Sequence, residues 1–99
     1  MNINTKKEGS KLTIELEGRL DTVTSPQLDE VIQKEIDSVD EIVLDLEKLE
    51  YMSSAGLRIL LSTEKVMSKK DGMKVIHVNS DIMEIFEITG FSEILTIVQ

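Results

Sequence analysis

Apolar and polar positions alternate most regularly in two stretches of the chain. Leu12, Ile14 and Leu16 alternate with Thr13, Glu15 and Glu17, and Ile42, Leu44 and Leu46 alternate with Val43, Asp45 and Glu47. Successive side chains of a strand point to opposite faces, so each stretch predicts a strand with one buried face and one wetter face. A weaker strand from Asn2 to Lys6, followed by Gly9-Ser10, predicts a hairpin with the first of them. Lys74 to Val78 and Ile94 to Val98 predict two further strands, the former after an Asp71-Gly72 turn.

Between these strands the apolar spacing changes to that of helices. Leu28, Val31, Ile32 and Ile36 form one buried stripe, after a start at Thr24-Ser25-Pro26 where Gln27 completes a candidate capping box with Thr24 and Pro26 suits the first helical position. A second helix runs from the Ser53-Ser54 step to about Ser68, turning Leu57, Leu60, Leu61 and Val66 or Met67 inward. Asn79-Ser80-Asp81 opens a third that buries Ile82, Ile85 and Phe86 and stops at Gly90, a C′ residue with Phe91 placed for the accompanying contact.

After the opening hairpin, strand and helix alternate, which predicts an α/β domain with a mostly parallel, mixed sheet. Parallel strands covered on both faces read as unbroken apolar runs. The polar alternation in Leu12–Leu16 and Ile42–Leu46 therefore predicts helices packed mainly on one face.

Composition narrows the possible partners. The chain has 99 residues, 40% apolar and 30% charged, which suits one domain over residues 1–99. A net charge of -8 argues against a nucleic-acid partner, whose phosphates require clustered cations. The nearest basic cluster, Lys69-Lys70, is followed at once by Asp71. With no cysteine, no secretory segment after Met1 and no apolar run long enough to cross a bilayer, a cytoplasmic location without membrane insertion is the expectation.

Ligands and partners of parallel sheets meet the carboxyl ends of the strands. That rule predicts that Asp21, Thr24, Ser53, Ser54, Asn79 and Ser80 share one end of the molecule. Ser53 and Ser54 by themselves suit N-capping first, and a serine there can also carry a phosphate, where free backbone N–H groups and the positive end of the peptide dipole meet. Gly56 in the first helical turn suits either a closely approaching partner or tight internal packing. Met52 is a candidate surface contact beside the serines.

Enzymatic readings find little support. Met52-Ser53-Ser54-Ala55-Gly56 matches only the second half of a Gly-x-Ser-x-Gly elbow, and the single histidine, His77, falls within a predicted strand rather than beside a nucleophile. No pair of His or Cys ligands builds a zinc site, and no Gly-rich loop precedes Lys-Ser or Lys-Thr. The expectation is a non-enzyme without metal or cofactor.

Gly18-Arg19-Leu20-Asp21, Ile42-Val43-Leu44-Asp45-Leu46, Tyr51-Met52-Ser53-Ser54-Ala55-Gly56-Leu57 and the later Phe86-x-x-x-Gly90-Phe91 occur in an order and spacing that resemble the STAS family, in particular its single-domain bacterial anti-sigma factor antagonists. The resemblance implies a STAS-like α/β fold and partner switching. Such an antagonist binds an anti-sigma factor that is also a serine kinase, thereby releasing a sigma factor. The kinase phosphorylates one serine at the start of the second helix, and a serine phosphatase reverses it.

The family pattern Asp-Ser-Ser/Thr-Gly-Leu puts the acceptor on Ser54, with Ser53 as the alternative. Here Ser53 stands where Asp is common, and Ala55 where a second Ser or Thr is common. Asp21 matches an acidic residue of the kinase-binding surface. Asp21, Thr24, Met52, Ser53, Ser54 and Gly56 are the candidate partner-binding residues. The alternative reading is an unphosphorylated STAS scaffold or accessory subunit of a transport or signalling complex.

Overall fold

The computed structural model describes residues 1–99. Its elements are β1 (Asn2–Glu8), β2 (Lys11–Leu20), α1 (Ser25–Glu35), β3 (Glu41–Met52), α2 (Ser54–Met67), β4 (Gly72–Ile76), α3 (Ser80–Thr89), a short 3-10 turn (Phe91–Glu93) and β5 (Thr96–Val98). The strands form one sheet in the order β1-β2-β3-β4-β5. β1 runs antiparallel to β2, while β2, β3, β4 and β5 pair in parallel.

Register converts the sequence alternation into rows across the sheet. Leu12 lies beside Ile42, which lies beside Met73; Ile14, Leu44, Val75 and Ile97 form the next row. Residues 12, 14, 42, 44, 73 and 75 of these rows are at most 1% exposed. Leu28, Ile32 and Ile36 from the first helical segment, Leu57, Leu60 and Met67 from α2, and Ile82 and Phe86 from α3 complete this core. The other strand face carries Lys11, Glu15, Glu17 and Lys74, all exposed. Val43 belongs to that outer face by register, yet neighbouring strands leave it only 6% exposed.

Several local expectations are corrected. The Thr24–Gln27 capping box is absent: Thr24 makes no side-chain cap bond, because its hydroxyl is engaged within the preceding loop. β2 and β3 extend beyond the predicted Leu16 and Leu46, reaching Leu20 and Met52 across register shifts at Glu15/Glu17 and Gly18/Arg19. In α2, Met67 rather than Val66 faces the core. The last strand begins at Thr96 because Phe91–Glu93 adopt a 3-10 turn. His77 lies beyond the end of β4, in the left-handed region at φ 57°.

Two tail-to-core links fix the helices on the sheet. Gly90 takes the left-handed conformation at φ 83° that ends α3, with its N–H bonded to Glu87 O, and Phe91 packs against the core. Lys70 donates to the carbonyls of Ile36 and Val39 just beyond α1. The chain's nearest basic cluster thus contributes a helix-terminal clamp.

Candidate functional site

β2 and β3 run in parallel to a shared carboxyl end at Leu20 and Met52, whereas β4 stops earlier, its last residue Ile76 lying beside Asp45 of β3. Leu20 pairs with Met52, and Ser53 N–H donates to Leu20 O at 2.8 Å. The loop leaving β2 is thereby fastened to the first residue after β3. Asn79 closes the third side: its Nδ2 donates to Leu49 O at 2.9 Å and its Oδ1 accepts from Ile82 N–H at 2.9 Å, capping α3. The backbone therefore gathers the segments of Asp21, Thr24, Ser53 and Ser54 at this edge, while Asn79, with Ser80 after it, is tied further back along β3, at Leu49.

The two serines have different environments. Ser53 is the N-cap of α2 with an extended backbone, φ -92° and ψ 175°, and its carbonyl accepts from Leu57 N–H at 3.0 Å. Its hydroxyl makes no cap bond and is buried without a partner. Ser54, the first residue of α2, is exposed. The first turn of α2 holds no acidic residue, so its partial positive charge is not offset from within the helix.

The Asp21 loop is organised from inside. Asp21 Oδ1 accepts from the N–H groups of Val23 and Thr24, each at 3.0 Å. Thr24 Oγ1 accepts from Asp21 N–H at 2.9 Å and lies 2.7 Å from Arg19 O, the shorter of its two acceptors and so the one that takes its single proton. The Thr24 N–H bond is the main reason the Asp21 carboxyl sits below its usual range, with the Val23 N–H bond and the Arg19 charge acting the same way. The loop leaves Val23 77% exposed at its tip. Beside it, the Arg19 guanidinium stands 4.4 Å from the centre of the Tyr51 ring.

Two candidate contact residues lie inside the domain. Met52 is 2% exposed, because it ends β3 on the core side next to Leu20. Gly56 is buried as well, and a Cβ added there would meet Leu20 and Met52. Neither side offers atoms to a partner; both set how closely α2 lies on the sheet. Of the two readings for Gly56, internal packing is the one realised.

One feature that the sequence reading missed is the group Asp45, Glu47 and His77. His77 Nδ1 lies 2.9 Å from Asp45 Oδ1 and 3.8 Å from Glu47 Oε2. The Asp45 hydrogen bond is the largest cause raising the His77 pKa above its usual 6.5, followed by the Asp45 charge, with Glu47 adding to it. The contact of the imidazole with the Asp45 carboxylate links β3 to the loop before α3, and it becomes an ion pair when His77 is protonated. The alternation of Ile76, His77 and Val78 concealed this, since it suggested a strand side chain.

The fold and edge define a mixed α/β domain with an exposed serine at the start of its second helix. The sequence profile of the STAS domain matches residues 2–99, and the chain belongs to the STAS family. It is 31% identical over 97 residues to the anti-sigma-B factor antagonist of Staphylococcus aureus, covering 96% of this chain and 90% of that one. An anti-sigma factor antagonist from Mycobacterium paratuberculosis superposes with a TM-score of 0.87 at 25% identity, covering 97% of this chain and 83% of the other. The Bacillus cell fate determinant SpoIIAA, solved in its phosphorylated form, shares the fold with a TM-score of 0.77 at 19% identity, covering 99% of this chain and 92% of its own. No helix is long and apolar enough to cross a membrane.

Proposed function

We propose that this chain is an anti-sigma factor antagonist that binds an anti-sigma factor serine kinase, and that phosphorylation of Ser54 ends the binding. The observation that carries the reading is the contrast between the serines: Ser54 is exposed at the first position of α2, whereas the Ser53 hydroxyl is buried. Similarity over almost the full chain to the staphylococcal antagonist supports the regulatory class.

In the kinase complex, Ser54 Oγ attacks the γ-phosphorus of ATP held by the partner. The new O–P bond forms as the bond to the β,γ-bridging oxygen breaks, ADP leaves, and the hydroxyl proton passes to a base of the kinase. A serine phosphatase restores the hydroxyl by hydrolysis. ATP belongs to the partner, and this chain acts as substrate and ligand rather than as an enzyme.

Phosphorylation adds about -1.5 to -2 of charge at neutral pH. At an interface packed around Ser54, an imperfectly paired phosphate costs about 2 to 5 kcal/mol, or about 30-fold or more in affinity. The Asp21 carboxylate at the same edge opposes the added charge. Thr24 and Asp21 contribute by fixing the loop, and Val23 and Ser54 present the atoms a partner meets.

The test is calorimetric titration of the anti-sigma factor kinase with Ser54→Ala and Ser54→Asp proteins. Ser54→Ala retains binding and Ser54→Asp binds weakly; equal affinity of the two contradicts the switch.

A further inference from the structure

Ser54 opens α2, and Arg58 lies four residues further along the same helix. Residues at this spacing are neighbours on one helix face. The Cα–Cβ bonds of a helix tilt toward its N-terminus, which puts the turn that Ser54 begins within reach of the long Arg58 side chain. Both residues are exposed. Arg58 takes part in none of the ion pairs of the fold, which join Lys7, Lys34, Lys74 and His77 to carboxylates elsewhere.

The surroundings offer Arg58 little competition. Asp21, the carboxylate of this edge, has Oδ1 committed to its own loop. Arg19, the only other arginine in the sequence, stands over the Tyr51 ring. The next basic residue of α2 is Lys65, in its last turn. Arg58 is thus a free cation one turn from the serine, in a chain with net charge -8.

We infer that Arg58 is the internal acceptor of the Ser54 phosphate, forming a bidentate pair with it across the first turn of α2. This rests on the assignment of Ser54 as the modified serine, and it adds a second action of the modification. A planar guanidinium matches two phosphate oxygens, which an ammonium does not. Phosphorylation therefore places negative charge at position 54 and at the same time withdraws Arg58 from the surface available to a partner. Both changes act against a partner that reads the unmodified edge, and the pairing holds the phosphate against its own helix without a change of fold.

The test uses protein carrying phosphoserine at position 54, installed during synthesis so that no kinase is required. The second ionisation of the phosphate is followed by phosphorus NMR in the otherwise unchanged chain and in Arg58→Gln and Arg58→Lys. An adjacent cation favours the dianion, so the midpoint of the unchanged chain lies about half a unit below that of Arg58→Gln, with Arg58→Lys between them. The difference shrinks in 1 M salt, about a 3 Å screening length. Coincident midpoints for the unchanged chain and Arg58→Gln overturn the inference, whether both are shifted or neither is. Failure of the switch is read separately, by titrating the same phosphorylated protein against the anti-sigma factor kinase.

Discussion

A Cβ placed on Gly56 would stand 2.7 Å from Leu20 Cδ2 and 2.8 Å from Leu20 Cγ, with Met52 Cγ at 3.1 Å. Leu20 is fully buried, and the close approach of its Cγ leaves it no simple rotation away. This contact sets the height of α2 over the sheet and hence the position of Ser54. Gly56→Ala gains about 1 kcal/mol of helix propensity but incurs an overpacking cost of about 1 to 3 kcal/mol. A net loss of about 1 kcal/mol in urea denaturation is expected; an unchanged or raised midpoint contradicts the tight contact.

The Asp21 loop separates the effect of a hydrogen-bond acceptor from that of a charge. Asp21→Asn keeps an oxygen for the Val23 and Thr24 N–H groups, while Asp21→Ala removes it. The alanine variant is expected to speed amide exchange at Val23 and Thr24, and the asparagine variant to leave it nearly unchanged. Similar exchange in both variants would show that the carboxylate does not organise the loop.

Asn79 joins α3 to β3 through both ends of its amide. Asn79→Ala loses the cap and the Leu49 bond, a cost of about 1 to 2 kcal/mol. Asn79→Asp retains the cap acceptor but not the donor, so its loss is smaller. Chemical denaturation of the two variants checks the order.

The His77–Asp45 pair makes stability depend on pH in a definite direction. The folded pKa of His77 is raised above 6.5. Its stabilisation is therefore fully present below the unfolded value and disappears as pH rises through the folded one. Compared with His77→Gln, the unchanged chain is expected to show a larger thermal-midpoint advantage at about pH 6 than at about pH 8.5. An advantage that grows with pH contradicts the pairing.

The strands and helices were legible where burial follows a simple period, as in Leu12–Leu16 and Leu28–Ile36. The far half of β3 was not, because its buried residues Leu46, Leu49 and Met52 recur every third position across shifts in pairing with β2. The same irregularity hid the burial of Met52. The gathering of Asp21, Ser53 and Ser54 at one edge followed from parallel topology alone, whereas β4 stops beside Asp45 and leaves Asn79 at Leu49. The inward use of Asp21 and Thr24, the buried hydroxyl of Ser53 and the left-handed His77 depend on local backbone direction. A pattern of residue types does not encode that direction.

The most direct measurement of the central claim is intact-mass and phosphopeptide mass spectrometry of the protein isolated from its native cells under growth and stress conditions. The account predicts a single phosphoryl group on Ser54, with Ser53 unmodified. Phosphate on Ser53, or none under any condition, would contradict it.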